Sequence, residues 1–332
     1  MVQSPSAQLP RLGLGMAALG RPGYINLERS RLLGSERTME TMQSQANKVM
    51  DQLFNESSPS SLPWLDCARS YGLSERFVGE YLTSRSISPD DVYVSSKWGY
   101  TYVADWKIQL PDGKPHEVKD HSLQNFWKQV EETEKNLGDY VKLYQVHSAT
   151  FESGILTNHE VHAAMAKCRR ERGWKLGLSV SGPMQDKVLL EAMKLKAAGE
   201  TIPLFDSVQC TYNLLEQRAS EALCVAHHAG MDVIVKEGLG NGRILRHPVV
   251  LEYSQQLKCE PDQLALGCIL AQPFQPKVLS GAITPDQLVS NMKASEIADR
   301  LLTDNELLED IMSRCVTSSE QYWEERASLQ WN

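Results

Sequence analysis

The sequence predicts an α/β fold, a closed parallel (β/α)8 TIM barrel, and three observations carry that expectation. Short apolar, β-prone runs recur along the chain, helix-like stretches separate most neighbours, and ionisable residues sit at or just past the carboxyl ends of several runs. A doubly wound open sheet is the alternative for any such alternation. The runs fall at 11–18, 62–68, 91–97, 141–147, 175–180, 205–211, 231–236 and 277–283, which makes eight strands. Helices are predicted at 38–54, 74–85, 122–137, 157–171, 184–198, 216–229, 261–271 and 285–294. Ser74-Glu75, Ser122 and Pro261-Asp262 mark helix starts, because a side-chain oxygen or a preset φ suits the first turn. Two connections are long, 19–37 after the first strand and 98–121 after the third. Loops beyond about a dozen residues in a compact domain are often functional, and Trp98, Tyr100, Tyr102 and Trp106 in the second are expected to wall a pocket. Ordinary loop packing is the plain alternative for any one ring. Residues 1–332 read as a single barrel domain, with about 295–332 forming an added helix and a polar tail that Trp323 and Trp331 tuck against the body.

Composition narrows the function. A net charge of -8 and a pI near 5.6 argue against a nucleic-acid or anionic-membrane partner, since both require clustered Lys and Arg. No apolar run approaches the roughly 20 residues that cross a bilayer, and Met1-Val2-Gln3-Ser4-Pro5 does not begin a secretion signal. Seven cysteines, at 67, 168, 210, 224, 259, 268 and 315, show no CxxC or Cys/His ligand spacing. Reduced thiols in the cytoplasm or another reducing compartment are expected, with no metal and no particular oligomer. His116, Asp120 and His121 lack regular ligand spacing, and adjacent His227 and His228 face different directions on a helix.

Chemistry concentrates in three segments. Asp66 and Tyr71 lie in Leu65-Asp66-Cys67-Ala68-Arg69-Ser70-Tyr71-Gly72, Lys97 in Val92-Tyr93-Val94-Ser95-Ser96-Lys97-Trp98, and His147 in Leu143-Tyr144-Gln145-Val146-His147. In a parallel barrel the active site occupies the carboxyl ends of the strands, so these four should converge there. Together they suit reduction of a carbonyl. The developing alkoxide needs a proton, and Tyr71 is the candidate general acid. A free phenol has a pKa of about 10, and an ammonium about 4 Å away stabilises phenolate by roughly 4 kcal/mol at an effective dielectric of about 20. A depressed Tyr71 pKa is therefore expected. Asp66 should neutralise and position Lys97, while His147 donates to the carbonyl oxygen and polarises it. Taken singly, each has a bland reading as an ion-pair partner, a loop residue or a hydrogen-bonded core imidazole. No side chain supplies hydride, so a redox cofactor is required. Gly13-Leu14-Gly15-Met16-Ala17-Ala18 fits a loose dinucleotide fingerprint, but no acidic residue closes a βαβ unit about 20 residues on, and the match reads as accidental.

Asp66-x-Ala68-x-x-Tyr71-Gly72, with Lys97 ending the third strand and His147 the fourth, resembles the aldo-keto reductases. The likeness runs from Gly13-Leu14-Gly15-Met16 through Gly177-Leu178-Ser179 and Gln209-Cys210-Thr211-Tyr212-Asn213 to Gly281-Ala282-Ile283-Thr284, Gln287-Leu288 and Asn291. It implies a nicotinamide cofactor extended across the barrel mouth, NADP(H) by family habit and NAD(H) as the alternative. Ser179 and Gln209 would meet the carboxamide, and Leu239, Gly240 and Gly242 would follow the pyrophosphate. Gly281, Ala282, Thr284, Gln287 and Asn291 would meet the adenosine and 2′-phosphate. Apart from the resemblance, the long loop itself makes Trp98, Tyr100 and Trp106 the expected lining of the substrate pocket. Three departures stand out. Lys236 occupies a position where the family often has an aromatic ring, and it either hydrogen-bonds the ribose or a phosphate or points to solvent. Val180 follows Ser179 where Asn is frequent. Finally, 281–291 has no Arg or Lys and includes Asp286, which weakens charge-assisted recognition of a 2′-phosphate.

The expected activity is NADP(H)-dependent conversion of a small aldehyde or ketone to an alcohol. One alternative is a nicotinamide-sensing regulatory barrel with little turnover. The other is a Schiff-base lyase using Lys97 or Lys236, which Asp66 disfavours by keeping Lys97 protonated. Arg21, Lys107 and His116 could meet an acid group on the substrate.

Overall fold

The computed structural model describes residues 9–57, 61–111 and 113–332. Its barrel strands are β1 (Leu12–Gly15), β2 (Trp64–Asp66), β3 (Tyr93–Trp98), β6 (Val141–Ala149), β7 (Lys175–Val180), β8 (Ser207–Thr211), β9 (Asp232–Lys236) and β10 (Lys277–Ser280), with β4 (Tyr100–Tyr102) and β5 (Glu117–Lys119) forming a separate antiparallel hairpin. The eight pair in parallel and close in the order β1-β10-β9-β8-β7-β6-β3-β2. Outside them lie helices Met39–Glu56, Ser74–Ser84, Leu123–Leu137, His159–Arg172, Gln185–Ala192, Ser220–His228, Pro261–Leu270 and Pro285–Met292. The open-sheet alternative is thereby excluded. Among the described residues no helix is long and apolar enough to cross a membrane.

Alternation along the strands sorts their inward side chains into tiers. Leu9, Trp64, Tyr93, Leu143, Ile234 and Leu279 form a buried apolar cluster of their own. Two residues further along the strands the inward set turns polar, with Asp66, Ser95, Gln145 and Ser207, all buried. Lys97, His147, Gln209 and Lys236 follow at the rim. Gly13 belongs to this packing, because a Cβ there would stand 2.2 Å from the Trp64 indole. The apparent dinucleotide fingerprint is therefore a close approach between strands, and a short 3-10 turn, Met16–Ala18, follows it.

Several local expectations are revised. Ser122 caps its helix, accepting the Asn125 N–H at 3.2 Å, but Ser74 does not cap; its hydroxyl donates to Ala68 O at 3.2 Å. The first long loop contains helix Arg29–Leu33, the second contains the hairpin, and a further helix spans Pro248–Leu257. The carboxyl-terminal segment holds three helices, Ala294–Leu301, Asn305–Cys315 and Ser319–Ala327, where one was expected.

Candidate active site

Asp66 ends β2 opposite Ser95 of β3, which brings its carboxylate to the amine of Lys97 two residues further on. Lys97 is fully buried; its Nζ is ion-paired with Asp66 Oδ2 and donates to Cys67 O at 2.9 Å. The other carboxylate oxygen, Oδ1, accepts from Ser95 Oγ at 2.7 Å, Gln209 Nε2 at 3.3 Å and Gln145 Nε2 at 3.4 Å. Trp64 Nε1 donates in turn to Ser95 Oγ at 2.9 Å. A buried charge is tolerated when it is paired and its remaining lone pairs are satisfied, and this network does both.

Tyr71 sits in the turn after β2. Its N–H donates to Ala68 O at 3.0 Å and the Leu73 N–H donates to Gly20 O at 2.7 Å. Two glycines allow this approach: a Cβ on Gly20 would lie 2.3 Å from Tyr71 O, and Gly72 adopts φ +60° with Gly20 O 2.5 Å from its Cβ position. The Tyr71 ring centroid is 4.9 Å from Lys97 Nζ and 5.4 Å from the His147 ring, which it meets edge-on. His147 also faces Tyr100 at 5.1 Å, and its Nδ1 lies 3.3 Å from Ser70 Oγ. With Ser70 as donor there, the neutral ring keeps its proton on Nε2. His121 Nε2 donates to His147 O at 3.0 Å and fixes the strand end. Sequence reasoning assigned His121 no such part.

The expected depression of the Tyr71 pKa is not found. Burial, then the Asp66 carboxylate, push the phenol well above its ordinary range, and Arg21 offsets only part of this. The Lys97 charge is spent on Asp66. Burial, followed by Lys97, Lys236 and Arg21, holds the His147 imidazole well below its usual range, hence neutral. The cluster therefore presents a protonated phenol beside an uncharged imidazole. One is a proton donor and the other a neutral hydrogen-bonding group.

These residues open onto one cavity of about 820 Å³. Asp66, Tyr71, Tyr100, His147, Gln209 and Lys236 line it near the chemical groups. Leu239 and Gly242 follow after β9, and Gly281, Ala282, Gln287 and Asn291 line the part beyond β10. Gly240 and Thr284 are not on its wall; Thr284 Oγ1 accepts the Gln287 N–H at 3.2 Å. Ser179 is fully buried and accepts the Ser148 N–H at 2.8 Å, while Ser148 and Ser181 reach the cavity in its place. Lys236 does not turn to solvent: Nζ donates to Thr211 Oγ1 at 2.6 Å and Ser181 Oγ at 2.9 Å, and burial lowers its pKa.

Of the four loop aromatics expected to wall a pocket, Trp98, Tyr100, Tyr102 and Trp106, only Tyr100 lines the cavity. Trp98 follows inward-facing Lys97, so alternation turns it outward, where it packs fully buried on Phe126 at 4.8 Å and His121 at 5.5 Å. Trp106 braces the loops instead, with Nε1 donating to Arg37 O at 2.8 Å and its ring against Phe77.

The tail and the first loop contribute what the strand pattern could not show. Tyr24, Glu117, Glu237, Arg326 and Trp331 all line the cavity. Arg326 holds Glu237 through Nε at 2.8 Å and Nη2 at 2.5 Å. Burial would raise the Glu237 pKa, but Arg326 and Lys236 outweigh it and bring it down to about 2. Trp331 stacks on His116 at 3.8 Å, and Arg21, paired with Glu117, lies 4.8 Å from the Trp331 ring and 5.2 Å from that of Tyr71.

Structural comparison places the chain beside an aldo-keto reductase from Bacillus halodurans in its holo form. The two share 22% identity with a TM-score of 0.61, over 87% of this chain and 91% of that one. A Pseudomonas aeruginosa structure described as an aldo-keto reductase gives the same identity and score over 90% and 96%. A second one reaches 23% identity and a TM-score of 0.59 over 87% and 91%. At such identities these likenesses bear on the fold alone. No curated protein matches the sequence. The sequence pattern of the aldo/keto reductase family, a family of oxidoreductases, matches residues 11–307 of the 332, from the start of β1 into the carboxyl-terminal helices. A match over so much of the barrel makes this chain a member of the aldo/keto reductase family.

Proposed function

We propose that this protein reduces a small aldehyde or ketone to an alcohol by hydride transfer from a nicotinamide dinucleotide, with Tyr71 as the proton donor. The observation that carries the reading is the Tyr71 phenol on the cavity wall, with Lys97 behind it and neutral His147 beside it. His147 orients and polarises the carbonyl oxygen by donating a hydrogen bond. Tyr71 gives its proton to the oxygen as negative charge develops there. Asp66 keeps Lys97 in place behind the ring and cancels its charge, so that Tyr71 stays a protonated donor until the oxygen takes its proton.

The residues present fit a dinucleotide. The cavity volume falls within the roughly 300–1,000 Å³ of small-molecule sites. Backbone approach is open at Gly281, where a Cβ would have only Asn26 Nδ2 within 4 Å, at 3.7 Å. Gln209 and Lys236 would hold the end near Tyr71, Leu239 and Gly242 the middle, and Gly281, Ala282, Gln287 and Asn291 the far end. When bound, the cofactor supplies the hydride that no side chain can. Family likeness favours NADP(H), with NAD(H) as the alternative.

The lyase alternative loses Lys97, which is buried and ion-paired, and retains only Lys236 as an amine on the cavity wall. Borohydride trapping of a carbonyl substrate on Lys236 would favour it. The direct test of the reductase reading is Tyr71→Phe, which removes one oxygen atom. Turnover over a carbonyl panel should fall by about 10²–10⁴-fold, the usual contribution of a positioned acid, while cofactor affinity is retained. Undiminished turnover would remove Tyr71 from its role.

A further inference from the structure

We infer that the dinucleotide this barrel selects is NAD(H), and that the acidic lining around Asp286 turns NADP(H) away; the inference rests on the dinucleotide reading above. Two independent observations meet at the far end of the cavity.

The first is charge. Glu260, Asp262 and Asp286 line the cavity there. The basic residues on the cavity wall are Arg21, Arg29, Lys236 and Arg326, and each is engaged elsewhere. Arg21 is paired with Glu117 and Arg326 with Glu237, while Lys236 holds two hydroxyls. Arg29 donates to the carbonyls of Ala18 and Pro22. Lys258 is not on the cavity wall; it lines an adjoining hollow that shares Glu260 and Pro261 with the cavity. A 2′-phosphate brings close to two negative charges and requires cations and donors.

The second is the state of the backbone amides. The start of a helix offers free N–H groups to an anion, and the two helices starting here, Pro261–Leu270 and Pro285–Met292, would ordinarily do so. The chain has already filled several of the amides in and just before them. Ala282 N–H donates to Ser280 Oγ at 3.2 Å, Ile283 N–H to Gln287 Oε1 at 2.9 Å and Gln287 N–H to Thr284 Oγ1 at 3.2 Å. At the other helix Glu260 and Gln263 cap each other, with Gln263 Oε1 accepting the Glu260 N–H at 3.2 Å. A phosphate arriving here would find several of its donors taken and carboxylates on the wall beside them. A ribose hydroxyl, by contrast, is a donor, and a carboxylate is the acceptor that suits it.

Equilibrium titration of the full chain with NADH and NADPH, followed by quenching of tryptophan fluorescence, tests this. NADH should bind at least tenfold tighter, about 1.4 kcal/mol, and the gap should narrow as salt rises. Asp286→Arg should tighten NADPH at least tenfold, about 1.4 kcal/mol, and should not tighten NADH. Asp286→Asn, which removes the charge alone and should tighten NADPH in the same direction, serves if the first variant fails to fold. NADPH binding as tightly as NADH, or NADPH affinity unmoved by both variants, would overturn the inference and leave the reductase reading standing. Failure of both dinucleotides to bind would overturn both.

Discussion

Tyr71 is held among opposing charges that its sequence motif only half reveals. Asp66 and Lys97 cancel each other behind it, Arg21 stacks beside it, and burial sets the balance in favour of the protonated phenol. The pH dependence follows. On the proposed mechanism reduction needs protonated Tyr71, so activity should persist below its raised pKa and be lost only as pH climbs through it. It also needs neutral His147, which persists above that residue's lowered pKa. The kcat/KM for reduction should therefore be flat across the range between the ordinary His and Tyr values, about 6.5 and about 10, and a midpoint inside that range would contradict the assignment. Stability should behave differently. Burial lowers the His121 pKa to about 4, so below the unfolded value of about 6.5 the unfolded chain binds a proton that the folded chain refuses. Folding stability thus falls as pH drops from about 6.5 towards about 4, by up to about 1.4 kcal/mol per pH unit, and His147 adds in the same direction. His121→Gln should flatten that slope in urea titrations at several pH values. Lys97→Met leaves Asp66 buried without its counter-ion and should cost about 3–5 kcal/mol by the same method. The four candidate residues were legible in the sequence because three lie at or near strand ends and Tyr71 lies in the turn just after one; the sign of the Tyr71 shift was not, because it depends on burial and on an Asp66 carboxylate already paired with Lys97.

At the scale of elements, the cavity is finished by pieces outside the barrel repeat. Hairpin β4–β5 carries Tyr100 and Glu117 to the mouth, and the tail brings Arg326 and Trp331. Tail and first loop are joined by reciprocal backbone bonds, Tyr24 N–H to Asn332 O at 3.1 Å and Asn332 N–H to Tyr24 O at 2.9 Å. The Arg326–Glu237 pair fastens the same tail to the end of β9, next to Lys236. Arg326→Met should leave Glu237 buried and unpaired, lower stability by about 3 kcal/mol, and raise amide exchange over 319–332. Exchange unchanged in that segment would show that the tail is held by other contacts. Sequence reasoning saw that the two tryptophans pack the tail down, but not that Trp331 becomes cavity wall, because loop and tail pairings over some three hundred residues of separation leave no periodic trace. Trp98 differs, because its position after an inward lysine already turns it outward by strand alternation.

For the molecule as a whole, eight barrel strands were found where eight were expected, with hairpin β4–β5 added, and β7 matches its predicted limits, because parallel strands with period-2 faces write themselves plainly into sequence. The tiers inside the barrel connect fold to chemistry: an apolar plug of Trp64, Tyr93 and Leu143 supports a polar layer that fixes Asp66, which in turn fixes Lys97 beneath Tyr71. A dinucleotide bound in the cavity should stabilise the whole domain, by about 2.7 kcal/mol at a hundredfold excess over Kd, visible as a concentration-dependent rise in Tm. The central claim is the acid role of Tyr71, and it is tested most directly by single-turnover oxidation of bound nicotinamide cofactor in the wild-type chain and in Tyr71→Phe, with a reactive aldehyde and with cofactor affinity measured in parallel. The account predicts equal affinity and a transfer rate at least about a hundredfold lower in the variant; equal rates at equal affinity would contradict it.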